Sequence, residues 1–177
     1  MFDFDKQLQV GKQGEKLMKL YYESQTTNDG KSKFIVRDAF KEEQLKGADF
    51  FIINQELGTR YIEVKTDTQS KDTGNVALEI QIVKDDGTKQ IGCQFKTFPD
   101  FMFYWIYPTN RILYWNPVEL IPHIIDWILD DTHVIVEAQN KNFFSRSILV
   151  PIDELLALDI VSEISVSYHI LEKARAA

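Results

Sequence analysis

A chain of 177 residues, 44% hydrophobic and 27% charged, has the composition of a globular domain large enough to bury a core without staples, and a single-domain organisation over residues 1 to 177 is expected. The single Cys93 excludes an internal disulfide, and three dispersed histidines, His123, His133 and His169, without a cysteine cluster do not make a structural zinc site. The net charge of −7 argues against a phosphate partner, yet residues 1 to 96 carry 15 Lys and Arg against 16 Asp and Glu, while residues 97 to 177 carry 5 against 11. Nothing resembles a signal peptide or a bilayer-spanning apolar run, so a cytoplasmic protein with no membrane partner is expected.

Residues 5 to 24 predict an opening helix, with Val10, Gly14, Leu17, Met18 and Tyr21 at helical spacing and a Thr-Thr-Asn-Asp-Gly run ending it. Gly11 and Gly14 inside that helix imply close packing against other backbone, and Glu15 lies on the flank of the packed face. Phe34 to Val36 is a short strand candidate, followed by a charged connection over 37 to 46. Residues 46 to 65 read as a hairpin, and residues 66 to 75 as a polar, mobile surface loop. Residues 76 to 83 predict a strand with Val76, Leu78, Ile80 and Ile82 on one face and Glu79 and Gln81 on the other.

The segment from Ile91 to Phe98 fits strand or helix equally. Residues 100 to 107 and 111 to 115 predict two buried strands, and Pro117 opens a helix to about Leu129. Val134 to Glu137 and Ser147 to Val150 are further strands, Pro151 to Leu158 a short helix, and Ile164 to Leu171 is ambiguous.

The chemistry concentrates in the hairpin. Alternation puts Glu63 and Lys65 on one face of its second strand and Ile62 and Val64 on the other. A three-residue loop Glu56-Leu57-Gly58, with Gly58 left-handed, would pair Asp49 with Lys65 and bring Asp49 to the same face; a four-residue loop would pair Asp49 with Val64 and break the cluster. The odd-length loop, or a bulge that restores the same parity, is expected. Mg²⁺ takes hard oxygen ligands from one or two carboxylates, water and substrate phosphate, and Asp49, Glu63 and the Val64 carbonyl could supply them. Such a cation lowers the pKa of bound water, and Lys65 could orient that water or offset negative charge in the transition state.

Gly11-x-x-Gly14-Glu15, Gly47-Ala48-Asp49-Phe50, Ile62-Glu63-Val64-Lys65 and Gly74-Asn75 leading to Glu79 together resemble the PD-(D/E)XK nuclease superfamily of restriction endonucleases, resolvases and repair or phage nucleases. The resemblance spans residues 11 to 79, with Ala48 where the family's motif has proline. It implies an α/β fold with a mixed central sheet flanked by helices, a restriction-endonuclease-like core, and Mg²⁺- or Mn²⁺-dependent cleavage of nucleic acid, most simply DNA, with a homodimer as one means of cutting two strands. Asp49 and Glu63 match the family's metal ligands, Lys65 its catalytic lysine and Glu15 its helical glutamate.

Glu79 and Gln81, on a strand expected beside Glu63, are candidates for contact with metal-bound water or substrate. Plainer roles compete with these. Glu15 could simply pair with Lys19 on the helix surface, and the aromatics from Phe101 to Trp115 read as core packing rather than base-stacking platforms. The alternative for the whole chain is a catalytically inactive nucleic-acid-binding or protein-interaction module of phage or mobile-element type. A structural domain with no nucleic-acid role is the third.

Overall fold

Val10, Leu17 and Met18 recur at helical intervals and all three are buried, which seats the opening helix α1 (Phe4–Ser24) on the sheet beneath it. The computed structural model of the chain describes residues 4–140 and 142–176. After α1 come β1 (Ile35–Asp38), α2 (Lys41–Lys46), β2 (Phe50–Asn54), β3 (Gly58–Asp67), α3 (Ser70–Thr73), β4 (Asn75–Lys84) and β5 (Lys89–Ile91). A 3-10 turn at Cys93–Phe95 leads to β6 (Phe101–Ile106), β7 (Arg111–Trp115), α4 (Pro117–Leu129), β8 (Ile135–Gln139), β9 (Phe143–Pro151), α5 (Ile152–Leu156), β10 (Val161–Ser165) and α6 (Tyr168–Arg175).

The architecture is mixed α/β. A six-stranded sheet in the order β1-β2-β3-β6-β7-β10 is antiparallel except at its centre, where β3 and β6 run parallel with Glu63 opposite Met102 and Lys65 opposite Tyr104. One face, carrying Phe50, Ile62, Val64, Phe103 and Trp105, packs against α1 and α6. The opposite face, carrying Met102, Tyr104, Leu113 and Trp115, packs against α4 and a second sheet in the order β5-β4-β9-β8. The two apolar clusters therefore lie on either side of the central sheet. No helix among the described residues is long and apolar enough to cross a membrane.

Three sequence expectations need correction, and one open segment is resolved. Residues 37 to 46 contain α2, whose side chains are all unburied, so it has no apolar stripe to betray it; it closes at Gly47, φ +103°, with the Ala48 amide bonded to the Glu43 carbonyl at 3.1 Å. Residues 66 to 75 are not an unstructured loop: β3 continues to Asp67, and α3 buries Ser70. β4 does not neighbour β3, because it pairs with β5 and β9 in the second sheet. The ambiguous end resolves into β10 and then α6.

Candidate functional site

The hairpin of β2 and β3 pairs Asn54 with Gly58 and Phe50 with Ile62, leaving a three-residue loop of Gln55, Glu56 and Leu57. Asn54 builds that loop, its Oδ1 accepting the Glu56 and Leu57 amides at 2.8 and 3.1 Å, while Gly58 takes φ +70°. The loop is one residue earlier than the sequence suggests. Its parity is the same, and the pairing ends at Phe50 opposite Ile62, so Asp49 is not paired with Lys65; it lies just beyond the ladder, where its carboxylate still feels the charges of Glu63 and Lys65.

β2 begins at Phe50, and beyond it the edge of β3 is open. The Asp49 amide donates to the Ile62 carbonyl at 2.8 Å, and the Asp49 Oδ2 accepts the Val64 amide at 2.7 Å, replacing the missing strand. Tyr61 and Asp67 turn their backbone toward β6, accepting the Asp100 and Tyr107 amides, so Val64 turns its own to the Asp49 edge. A strand residue directs its N–H and C=O to the same side, which brings the Val64 carbonyl to that edge as well.

Glu63 is 5% exposed, and its Oε1 lies 2.6 Å from the Lys65 Nζ. Burial, together with the Glu63 charge, pushes the Asp49 carboxyl up to about 7 against the pull of the Val64 amide and Lys65. Burial pulls the Lys65 ammonium down, but Cys93, Glu63 and Asp49 outweigh it and hold its pKa well above the ordinary lysine value. The Cys93 thiol is itself pushed by burial up to about 12, so near neutrality it is uncharged and the carboxylates are the anions that keep Lys65 protonated.

Glu15 reaches this edge from α1. Gly14 permits it: a methyl group there would collide with Thr66 Oγ1 and stand 3.4 Å from Val64 Cγ1, so only glycine lets the helix lie this close to β3. Gly11 has nothing within 4 Å and plays no such part. Burial raises the Glu15 carboxyl, Lys19 opposes it, and Glu63 and Asp38 raise it further; Glu15 in turn raises Asp49. Lys19 forms its ion pair with Asp38 rather than with Glu15. The three acids thus sense one another across the open edge. Yet no group of three or more His, Cys, Asp or Glu side chains is gathered closely enough to hold a metal ion among the described residues. The donor set that fits Mg²⁺ or Mn²⁺ here is two carboxylates, Asp49 and Glu63, with the Val64 carbonyl and water.

A cleft of about 450 Å³ opens beside this face, with Lys65, Asp67, Glu79, Cys93 and Tyr104 in its wall. Glu79 comes to it from the second sheet, and its Oε1 accepts the Cys93 amide at 3.1 Å, so it fastens the 3-10 turn. Gln81 is not its companion. The β4–β9 register shifts between Glu79 and Gln81, so Ile80 is an extra residue and the alternation changes phase. Val83 is buried where the alternation predicts Ile82, and Gln81 is absent from the cleft wall.

Beneath the cleft lies a network that sequence reasoning misses. Asp67 Oδ2 accepts from Ser70 Oγ at 2.7 Å and from the Tyr104 hydroxyl, and that hydroxyl accepts the Ala77 amide at 3.1 Å. Asp67 also accepts the Gln69 amide at 2.6 Å, an Asp turn before α3 that Asp followed three residues later by Ser could have signalled. Tyr104, inside an apolar run, carries no such sign. No family model, curated protein or solved structure matches the chain.

Proposed function

We propose that the chain is a divalent-metal-dependent nuclease of restriction-endonuclease-like core, hydrolysing phosphodiester bonds most simply in DNA at the open edge of β3. The observation that carries this reading is the half-buried Asp49 and the buried Glu63 around the turned-out Val64 backbone, with Lys65 at 2.6 Å from Glu63. Burial first and the Glu63 charge second disfavour the ionised form of Asp49 and raise it to about 7, and a divalent cation would relieve that cost. When bound, Mg²⁺ or Mn²⁺ supplies Lewis-acid polarisation of the phosphate and a more acidic water.

The residues of the chain do the rest. Asp49 and Glu63 would hold a cation at the edge of β3, and the Val64 amide fixes the rotamer of Asp49. Lys65 is held protonated, so it acts as a charge that orients the attacking water and offsets negative charge on phosphorus, not as the base. The water oxygen forms a new bond to phosphorus as its proton leaves to solvent or to a carboxylate of the site, and the ester P–O bond breaks to a phosphomonoester and an alkoxide that takes a proton from solvent water to become a free hydroxyl. Glu15 shapes the local charge from α1.

The test is incubation of the purified protein with duplex, single-stranded and branched DNA and with RNA, in Mg²⁺ or Mn²⁺. Cleavage lost in Glu63→Ala and Lys65→Ala, both still folded, is the expected result; cleavage unchanged in either removes the mechanism. The lack of a third acidic ligand among the described residues favours a second reading, an inactive nucleic-acid-binding or protein-interaction module. Oligonucleotide binding without metal-dependent cutting by the wild type would select it.

A further inference from the structure

The carboxyl end of α2, which leads directly into Asp49, and the Cys93–Phe95 turn enclose a groove of about 770 Å³. Its wall includes Leu45, Lys46, Ile91, Phe95, Lys96 and Phe98. Leu45 is 75% and Ile91 62% exposed, an apolar pair left uncovered on a charged surface. Two lysines and, among the described residues, no acid line it, in a chain of net charge −7. Neither Lys46 nor Lys96 takes part in any ion pair among the described residues. The Lys46 ammonium lies over the Phe98 ring at 5.1 Å, and Tyr61 packs on that ring at 4.6 Å.

The groove joins the candidate site through the backbone. Lys46 is three residues before Asp49, and Gly47 between them has φ +103°. The Lys96 stem lies across Gly47, its Cδ 2.6 Å from where a Cβ would stand, so a side chain there would push the lysine out. Cys93, at the start of the turn, feels the charges of both Lys65 and Lys96.

We propose that this groove binds an unpaired nucleic-acid strand leading to the candidate site, with Lys46 and Lys96 on successive phosphates and the bases laid on Leu45, Ile91 and Phe98. The proposal rests on the nuclease reading. Free cations match the phosphates, whereas apolar side chains match base faces, which only an unpaired strand presents; a duplex keeps its bases inside and leaves that floor uncovered. Lys46, resting on an aromatic ring rather than in an ion pair, is free to exchange the ring for a phosphate at little cost.

Fluorescence anisotropy with a 12-nucleotide single strand and the matching duplex, in EDTA so that nothing is cut, tests this. Lys46→Ala/Lys96→Ala is expected to weaken single-strand binding at least tenfold and to flatten its salt dependence by about 1.4 in logarithmic slope, roughly 0.7 for each phosphate no longer neutralised. Leu45→Ser should weaken it about threefold. Duplex affinity should change less than threefold in either, and Lys46→Arg/Lys96→Arg should bind as wild type. Single-strand affinity and salt slope unchanged in the double alanine variant, or an equal loss for duplex, would overturn the groove while metal-dependent cleavage by wild type still upheld the nuclease reading. A wild type that bound no single strand yet cut duplex would also overturn the groove alone; neither binding nor cleavage would overturn both.

Discussion

The Asp49 carboxylate accepts the Val64 amide at 2.7 Å, standing in for the strand β2, which begins only at Phe50. Burial, with the Glu63 charge beside it, raises the same carboxylate to about 7. A folded-state pKa raised above the unfolded one means that the native chain binds an extra proton between the ordinary aspartate range and pH 7. That stability is fully present below the ordinary range and is lost as pH rises through 7. In EDTA, the urea midpoint of the wild type should therefore fall between pH 5 and pH 8. Asp49→Asn, which keeps an oxygen for the Val64 amide, should flatten that dependence. Added Mg²⁺ should restore the wild-type midpoint most strongly at pH 8. A wild-type midpoint that rises over this range would contradict the assigned charge state.

Glu15 stands in the same field, raised by burial and by Glu63. Glu15→Gln removes one of three mutually repelling carboxyls, so the apo protein should gain stability, read as a higher thermal midpoint in EDTA. The same variant should bind Mg²⁺ more weakly by calorimetry. A gain in both would show that Glu15 does not belong to the cation's surroundings.

Gly11 and Gly14 are three residues apart on one helix and have opposite prospects. Gly11→Ala meets nothing within 4 Å and should stabilise by up to about 1 kcal/mol from helix propensity. Gly14→Ala gains the same propensity but collides with Thr66, a stiff β-branched side chain, and overpacking of this kind costs roughly 1–3 kcal/mol. Urea denaturation of the two variants should move in opposite directions.

Tyr104 ties the two sheets together, its hydroxyl linking Asp67 at the end of β3 with the Ala77 amide in β4. Tyr104→Phe strands that amide and should cost about 1–3 kcal/mol of stability. The proposed cleavage, assayed well below the thermal midpoint, should stay within threefold of wild type, since the hydroxyl holds scaffold rather than Glu63.

Much of this fold is legible in the chain. Val10, Leu17 and Met18 announce α1, Pro117 and the isoleucines after it announce α4, and the Glu-x-Lys alternation on β3 puts Glu63 and Lys65 together, because each signal is a local period backed by burial. What escapes is non-local or has no periodicity. α2 buries nothing, so its six residues show no stripe. The partners of β4 lie some 70 residues away in β9, and no local pattern says which sheet a strand joins. Gln81 departs from its expected face because one bulged residue, Ile80, inverts every orientation after it, and a bulge leaves no mark in an alternating apolar run. The hairpin loop starts one residue before its expected place because Gly58 suggests the turn itself, whereas Asn54 nucleates it through two amides.

That loop gives the hairpin an unusual tolerance to changes of length. Surface turns ordinarily accept insertions one at a time, yet here a single added residue among Gln55, Glu56 and Leu57, unless a bulge absorbs it, would shift the register by one and turn Asp49 away from the face of Glu63 and Lys65. Two added residues would return it. Natural variation at this tip should therefore come in even steps, and an odd one would mark a chain that has kept its shape and given up its chemistry.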